Sequence, residues 1–433
     1  MKNNKLIKTD LKYIWHPCTQ MKDHEFLPLI PIKKAKGIYL YDFNNKFYID
    51  AISSWWVNIF GHSNKYINKS VNKQINKLEH VLLAGFSHKP AIKLAKKLIK
   101  ITPESLKKVF YADNGSSAIE VALKMSYHYF KNKGINKDTF LSLTNSYHGE
   151  TLGALSVGDV KLYKDTYQPL LIKNIQTPVP KKKTKKASKV ALKKLEKILK
   201  KHHKNIAAFI IEPLIQGAGA MHMYHPEYLK GARELTKKYN IHLIADEIMT
   251  GFGRSGTMFA CESANISPDF MTLSKGLTGG YLPLSVVMTT NDIYSAFYCD
   301  YNKHKAFLHS HSYTGNPIAC SAAIATLKLF EKNNTIKKNK KKAKYIKKSL
   351  KKFKKLNNIE NIRQTGMIAA FDIKGYKPED RIGLQVYTFG LQNGVLLRPL
   401  GNTIYFMPPY TIKKREIDKI FEVAYQAIKT ISV

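Results

Sequence analysis

Cysteine is scarce in this chain of 433 residues. The four cysteines, Cys18, Cys261, Cys299 and Cys320, form no C-x-x-C pair and no obvious disulfide framework. This usage fits a reducing cytoplasm and argues against a secreted disulfide scaffold or a zinc module. We therefore expect a cytoplasmic protein and predict no metal site.

Long apolar runs are also missing. No uncharged stretch approaches the ~18 residues that cross a bilayer, and the start, MKNNKLIKTDLKY, is positive without an apolar segment. We therefore expect neither a membrane span nor a signal peptide. The hydrophobic content of 44% nevertheless suffices for a real core, which excludes global disorder.

Negative charge is under-represented, because 31 acidic residues stand against 71 basic ones and leave a net charge of +40. A protein that binds nucleic acid or an anionic membrane is one explanation. Compositional drift is the other explanation. Only six of the basic residues are arginine, the residue on which proteins that recognise DNA bases rely. Lysine is scattered through every polar stretch, so we favour drift and expect no specific nucleic-acid partner and no membrane partner.

Apolar segments alternate with helical patterns through the middle of the chain. The predicted strands are Lys108–Ala112, Thr139–Leu143, Ala207–Ile211, Ile241–Ala245 and Phe270–Leu273, with helices such as Ala118–Phe130 and Glu227–Tyr239 between them. This order predicts a largely parallel sheet with helices on both faces. We expect residues 61–330 to form this large domain. Residues 1–60 would contribute to a smaller α+β domain that residues 331–433 complete.

Two residues with ionisable side chains follow predicted strands. Asp246 comes directly after Ile241–Ala245, and Lys275 closely follows Phe270–Leu273. Ligands bind beyond the carboxyl ends of strands in open parallel sheets, so we expect both residues to open onto one cleft. A lysine in a desolvated pocket has a lowered pKa and can form a Schiff base. A capping acid and a solvent-facing lysine are the ordinary alternatives.

Other segments offer weaker signals. Asn114-Gly115-Ser116-Ser117 precedes a strong helix, where backbone N–H groups and hydroxyls suit a phosphate or simply cap the helix. Tyr147 follows a strand and suits stacking on a planar cofactor or ordinary packing. If Trp55 and Trp56 lie on a strand, one faces the core and the other a site. The G-x-G-x-x-G match at 251–256 begins too far after its strand to predict a dinucleotide site.

In this combination and order, the segment 114–117, Tyr147, Asp246 and Lys275 resemble the class III pyridoxal-phosphate-dependent aminotransferases of fold type I. The resemblance extends over nearly the whole chain. The segments IWHPCTQM, AISSWW, IIEPLIQGAGAMHMYHPEYL, DEIMTGFGRSG and LLRPLGNTIYFMPPY are similar to the biotin-pathway branch that aminates 8-amino-7-oxononanoate. The resemblance implies an α/β fold with a mostly parallel seven-stranded sheet in a large domain, a smaller α+β domain, and pyridoxal 5'-phosphate as cofactor.

The same resemblance implies roles for single residues. Lys275 would hold the cofactor covalently and move the proton, and Asp246 would pair with the protonated pyridine nitrogen. The further cofactor-binding residues would be Gly115, Ser116, Tyr147, His311 and Ser312. The substrate-binding residues would be Cys18, Trp55, Tyr147, Lys275, Ser310, Arg398 and Tyr405.

The resemblance also implies the partners. In this family Ser312 reaches the phosphate of the neighbouring subunit, which implies a homodimer with shared active sites. The substrates would be 8-amino-7-oxononanoate and the amino donor S-adenosylmethionine, used by a ping-pong mechanism. Cys18 departs from the pattern, because this branch usually has a tyrosine there, which is expected to stack on adenine.

Two alternatives remain open at this point. One alternative to the biotin-pathway branch is another class III ω-aminotransferase, acting on ornithine, 4-aminobutyrate or lysine. The other is a nucleic-acid-binding protein on an inactive aminotransferase scaffold. The Trp pair and the Trp-His-Pro motif argue against the first, and intact Lys275 and Asp246 argue against the second.

Overall fold

The structure is a computed structural model that describes residues 2–431, and these residues fall into two units. The larger unit comprises Tyr66–Lys340 and Thr365–Met367. The smaller unit comprises residues 2–65, 341–364 and 368–431. The domain boundaries predicted after residues 60 and 330 stay a prediction.

The chain alternates helices and strands along its length. The helices are α1 Lys2–Tyr13, α2 Ser53–Trp56, α3 Lys65–Ile75, α4 Lys89–Ile101, α5 Gly115–Asn132, α6 Leu152–Ser156, α7 Lys161–Lys164, α8 Lys185–His202, α9 Pro226–Lys238, α10 Asn291–Ser295, α11 Pro317–Asn333, α12 Thr335–Ser349, α13 Gly383–Gln392 and α14 Lys414–Thr430. The strands are β1 Ile32–Lys36, β2 Tyr39–Asp42, β3 Phe47–Asp50, β4 Leu106–Ala112, β5 Thr139–Leu143, β6 Asn174–Thr177, β7 Ile206–Ile211, β8 Ile215–Gln216, β9 His222–Met223, β10 His242–Asp246, β11 Phe270–Leu273, β12 Ser285–Thr290, β13 Ile359–Thr365, β14 Ile368–Ile373, β15 Val395–Leu396 and β16 Thr403–Phe406.

A seven-stranded sheet in the order β4-β12-β11-β10-β7-β5-β6 forms the centre of the larger unit. Strand β12 runs antiparallel to both of its neighbours, and the other six strands are parallel to one another. The sequence prediction of a mostly parallel seven-stranded α/β sheet is therefore confirmed. All five strands predicted by residue range correspond to strands of this sheet, whereas β6 and β12 were not predicted.

Apolar packing covers this sheet. Every residue of β5, β7, β10 and β11 is buried, as expected for strands covered on both faces. Helix α5 places Ala118, Val121, Ala122 and Met125 in the same core cluster as sheet residues such as Ile210. The core therefore fixes α5, and with it the position of the loop that leads into the helix.

The smaller unit contains two short sheets, in the orders β1-β2-β3-β15 and β13-β14-β16. Helix α14 packs its apolar side on aromatic residues of the second sheet, where the rings of Phe406 and Phe421 stack with centroids 4.5 Å apart. Phe353 completes this cluster by contacting both Phe371 and Phe421. The predicted α+β character of the carboxyl-terminal region is therefore confirmed.

Candidate active site

Three ionisable residues of the larger unit lie at one edge of its sheet. Asp246 is the last residue of β10, Glu212 directly follows β7, and Lys275 stands two residues after β11. The three strands are parallel neighbours, and Asp246 aligns with Thr272 in the register of β10 and β11. The predicted meeting of Asp246 and Lys275 thus follows from the topology, and Glu212 joins them.

Asp246 is anchored by a buried histidine. The carboxylate is only 5% exposed, and its Oδ2 lies 2.7 Å from Nδ1 of His148. Its Oδ1 accepts a hydrogen bond from the backbone N–H of Ile248 at 3.1 Å. A histidine that donates from Nδ1 fixes both the tautomer and the direction of the carboxylate. Nε2 of His148 is buried and has no hydrogen-bond partner among residues 2–431.

Glu212 connects two loops at the same edge. Its Oε1 accepts the backbone N–H of Tyr147 at 3.0 Å, and its Oε2 accepts that of Gly217 at 2.8 Å. Burial raises the pKa of Glu212 to about 7, and Asp246 adds to this effect while His148 opposes it. Glu212 lies in the segment IIEPLIQG and was not predicted as a site residue from the sequence.

Lys275 combines a low pKa with an unusual backbone. Burial lowers the pKa of its amine, and the neighbouring carboxylates of Asp246 and Glu212 oppose that shift. Its φ of 45° lies in the left-handed region, which costs a non-glycine residue about 1–2 kcal/mol. Such strain persists only where the surrounding structure imposes it, and it concentrates at functional sites. The amine is thus set up to act as a nucleophile or a base.

The amino terminus of α5 offers hydrogen-bond donors. Asn114 caps the helix by accepting the N–H of Ser117 at 3.0 Å. The first N–H groups of a helix, here those of Gly115 and Ser116, have no partner within the helix. Ser116 Oγ accepts the backbone N–H of Glu150 at 3.0 Å, which leaves its proton available for a ligand. The Asn114 cap therefore does not occupy the groups that an anion would need.

Gly149 makes room for the Ser116 hydroxyl. A Cβ atom at Gly149 would stand 1.8 Å from Ser116 Oγ, and the φ of this glycine is +128°. Tyr147 is half-buried, and its hydroxyl donates to Oε1 of Glu150 at 3.0 Å. The loop from Tyr147 to Glu150 is thereby tied to the start of α5.

The segment from Ser310 to Ser312 precedes α11. Both serines are exposed, whereas Nε2 of His311 is buried and has no hydrogen-bond partner among residues 2–431. Nζ of Lys124 on α5 lies 2.9 Å from Nδ1 of the adjacent His309. The segment therefore runs beside α5, but among the described residues no hydrogen bond connects it to Ser116.

Three predicted substrate residues meet within the smaller unit. The guanidinium of Arg398 lies over the ring of Trp55, 5.7 Å from its centroid. Nε1 of Trp56 donates to the hydroxyl of Tyr405 at 3.0 Å. Tyr405 is buried and burial raises its pKa, whereas Arg398 is exposed and no carboxylate between residues 2 and 431 pairs with it.

The strand expected around the two tryptophans is wrong. Strand β3 ends at Asp50, and α2 is a single left-handed turn in which Ser53, Ser54, Trp55 and Trp56 all have φ between 44° and 76°. The turn still separates the two rings, since Trp55 is 47% exposed and Trp56 only 5%. Four successive left-handed residues carry roughly 4–8 kcal/mol of backbone strain, at about 1–2 kcal/mol each.

Cys18 lies in the amino-terminal segment of the smaller unit. It is exposed and has a φ of 50°. Five residues further on, Asp23 forms a bidentate ion pair with Arg381, whose Nη1 is 2.9 Å from Oδ1. This pair holds the segment that carries Cys18 within its unit.

Residues 20–428 match the family described as aminotransferase class-III. The chain is a class III aminotransferase. The sequence resemblance to this family is therefore confirmed.

Relatives of this aminotransferase match it almost from end to end. The adenosylmethionine-8-amino-7-oxononanoate aminotransferase of Helicobacter pylori is 56% identical over 96% of this chain and 95% of its own. The enzyme of the same name from Aquifex aeolicus is 43% identical over 98% and 97%. The crystal structure of the Methanocaldococcus jannaschii enzyme of that name is 38% identical with a TM-score of 0.96, covering 99% of this chain and 100% of that one.

Class III aminotransferases use pyridoxal phosphate. An ω-transaminase of Pseudomonas jessenii, solved in complex with PMP, is 28% identical with a TM-score of 0.92 over 98% of this chain and 97% of that one. The residues of this aminotransferase fit such a cofactor. They offer a lysine of lowered pKa, a buried aspartate, a buried and unpartnered histidine nitrogen, and a helix terminus with a hydroxyl.

Within residues 2–431, no three His, Cys, Asp or Glu side chains come together as metal ligands would. In the same residues, no helix has the length and apolar character needed to cross a membrane.

Proposed function

We propose that this aminotransferase transfers an amino group to 8-amino-7-oxononanoate in biotin biosynthesis, with S-adenosylmethionine as the donor and ping-pong kinetics. The observation that carries the proposal is the shared name of its relatives from Helicobacter pylori, Aquifex aeolicus and Methanocaldococcus jannaschii, which match it almost completely. The group of Lys275, Asp246 and Glu212 supplies the chemistry that a transamination needs.

Pyridoxal phosphate, when bound, supplies an electron sink for the negative charge left on a substrate carbon after deprotonation. In the proposal, Asp246 would hold a proton at the pyridine nitrogen, and His148 orients its carboxylate through the contact at Oδ2. Gly115 and Ser116 would bind the phosphate, and Tyr147 would pack against the ring. His311 and Ser312 would also contribute to cofactor binding.

Lys275 performs the covalent capture and the proton transfer in this proposal. Its lowered pKa leaves more of the amine neutral near pH 7, where it can attack a carbonyl or accept a proton at Nζ. One amine therefore serves both steps.

Arg398 binds the substrate carboxylate in the proposal. Both 8-amino-7-oxononanoate and an amino-acid donor carry a carboxylate, which arginine binds with two parallel hydrogen bonds. Arg398 is exposed, and no acidic residue in the described range competes for it. Trp55, Tyr405, Ser310 and Cys18 complete the proposed substrate-binding residues.

One observation, the small thiol of Cys18, argues for a different amino donor. A tyrosine stacked on adenine contributes about 1–3 kcal/mol per base, and cysteine cannot replace it. Lysine, which needs no aromatic surface, is therefore the alternative donor. We favour S-adenosylmethionine because the chain has the Trp-His-Pro motif directly before Cys18 and the Trp-Trp pair at 55–56.

We also propose a cytoplasmic homodimer with shared active sites. Several large side chains between α10 and α11 are exposed, including Tyr298, Tyr301, Leu308 and Tyr313, as expected of a segment that contacts a partner subunit. This region borders Ser312, the residue proposed to reach the neighbouring phosphate. Size-exclusion chromatography with light scattering tests the dimer, and a monomeric holoenzyme with full activity would contradict it.

A panel of amino donors with 8-amino-7-oxononanoate as acceptor tests the function. We expect visible absorbance from bound cofactor and turnover with S-adenosylmethionine. Turnover with ornithine or 4-aminobutyrate, and none with 8-amino-7-oxononanoate, would overturn the proposal. A colourless protein that binds duplex DNA tightly at physiological salt would instead favour the inactive-scaffold alternative, because non-specific binding weakens steeply with salt.

A further inference from the structure

The left-handed turn α2 is held by one buried carboxylate. Asp50, fully buried at the end of β3, accepts the backbone N–H of Ser54 at 2.9 Å and its hydroxyl at 2.8 Å. It also accepts the N–H of Ile52 at 3.3 Å. A side chain that bonds to successive backbone groups replaces the hydrogen bonds that an ordinary helix or strand would supply.

His62 orients this carboxylate from the other side. Nε2 of His62 lies 2.9 Å from Oδ2 of Asp50, and Nδ1 lies 3.0 Å from Nδ2 of Asn58. The amide of Asn58 donates to Nδ1, so the neutral ring carries its proton on Nε2 and donates it to Asp50. The backbone N–H of Asn58 in turn bonds to the carbonyl of Ser53. The turn is thus enclosed in one network.

The turn presents two tryptophans to two different partners. Trp55 supports the guanidinium of Arg398, and Trp56 holds the hydroxyl of Tyr405. Ser53 adds a third attachment, since its hydroxyl donates to the carbonyl of Met407 at 2.7 Å. A right-handed turn would point these side chains elsewhere, because reversing φ redirects every Cα–Cβ bond.

We propose that Asp50 is a positioning residue for substrate binding: with His62 it imposes the left-handed turn that places Trp55 under Arg398 and so orients the guanidinium for a substrate carboxylate. The inference rests on the proposed function, because it takes Arg398 as the carboxylate-binding residue. Asp50 itself is fully buried and acts only through Trp55.

Asp50→Asn tests this role, because the amide keeps the size of the side chain but cannot accept from all of these donors. We expect KM for 8-amino-7-oxononanoate to rise about ten- to hundredfold, since a misplaced orienting group costs rate on that scale. With an analogue of this amino ketone that lacks the carboxylate, Asp50→Asn and the wild type should have the same KM. An equal loss with both acceptors would overturn the proposal, because it would indicate general damage.

Asp42→Asn is the matched control. Asp42 is a buried strand-end aspartate of the same unit, and it accepts the backbone N–H groups of Asn44 and Lys46 in the turn after β2. Both variants should lose thermal stability, but only Asp50→Asn should change the dependence of KM on the carboxylate. The same change in Asp42→Asn would refute a specific role.

A double-mutant cycle with Trp55→Ala shows whether Asp50 acts through Trp55. If it does, Asp50→Asn should add almost nothing to KM in the Trp55→Ala background, whereas independent effects multiply. A crystal structure of Asp50→Asn provides a readout besides activity: we expect negative φ in the turn and a guanidinium that no longer lies over the indole. Unchanged φ values in the turn would overturn the proposal. This readout does not depend on which acceptor the wild-type enzyme prefers.

Discussion

Replacing Gly149 by alanine tests the proposed phosphate site through a steric effect that the structure quantifies. The added Cβ would stand 1.8 Å from Ser116 Oγ, 2.8 Å from its Cβ and 3.0 Å from its Cα. The hydroxyl can rotate away, but the Cα belongs to the first turn of α5 and cannot. We therefore expect Ser116 to lose its bond to the N–H of Glu150 and its position at the helix terminus.

The expected loss follows from the hydrogen bond that Ser116 would make to a phosphate. Hydrogen bonds to charged groups contribute about 1.5–3 kcal/mol. This corresponds to a rise of roughly 10- to 150-fold in the dissociation constant of pyridoxal phosphate. Alanine at a φ of +128° adds backbone strain of about 1 kcal/mol, which lowers the free energy of unfolding.

Titration of apoenzyme with pyridoxal phosphate, followed by absorbance, measures the effect. Gly134→Ala is the matched control, because Gly134 has a φ of +73° but no atom would lie within 4 Å of the added Cβ. It should lose only the stability that a positive φ costs alanine, without a steric clash, and bind the cofactor normally. If Gly149→Ala also binds normally, the Ser116 hydroxyl does not contact the phosphate and the proposed cradle is wrong.

Four further substitutions test the remaining roles. Lys275→Ala should still bind the cofactor but lose turnover by orders of magnitude, and borohydride capture on any other lysine would overturn the assignment. Asp246→Asn should fold and lose about 10- to 150-fold in kcat, from about 1.5–3 kcal/mol, whereas near-normal kcat would place another group at the pyridine nitrogen. Because the folded pKa of Glu212 is raised from 4.5 to about 7, its contribution to stability is present below pH 4.5 and lost as the pH rises through 7. Relative to wild type, Glu212→Gln should therefore gain roughly 1–3 kcal/mol of unfolding free energy between pH 5 and pH 8 in urea titrations, and a pH-independent difference would contradict the raised pKa. Cys18→Tyr should improve kcat/KM for S-adenosylmethionine about ten- to hundredfold and leave lysine unaffected, and unchanged kinetics would show that residue 18 does not face the adenine.

The sheet, and the edge at which Asp246 and Lys275 lie, were predictable because the local sequence specifies both. Fully buried parallel strands are continuous apolar runs, and Thr139–Leu143 and Phe270–Leu273 match the observed strands residue for residue. Parallel strands end at one edge, so placing Asp246 and Lys275 after them predicts that they meet. The short β6 and the antiparallel β12 were missed, although the run SVVMTT of β12 has the β-branched character of a strand.

Glu212 was harder to predict because its role depends on contacts distant in sequence. A glutamate before a proline, as in IIEPLIQG, reads as a polar loop residue. Only the fold shows that its two oxygens each accept a backbone N–H, one of them from Tyr147. Burial then raises its pKa against the opposing effect of His148, which no sequence pattern indicates.

The two tryptophans show how a correct outcome can follow from a wrong cause. Strand alternation predicts one buried and one exposed ring, and so does the left-handed turn, so the exposures of Trp55 and Trp56 alone do not distinguish them. No local pattern indicates the turn, because Ser53 to Trp56 contains no glycine, the usual residue for positive φ. What makes the turn possible is Asp50, three residues before it, and His62, six residues after it. Local propensity opposes the left-handed conformation at all four positions. Tertiary hydrogen bonds must therefore offset the backbone strain. Strain of this kind is retained where it positions functional groups, which is the reason to test Asp50 by substrate specificity as well as by stability.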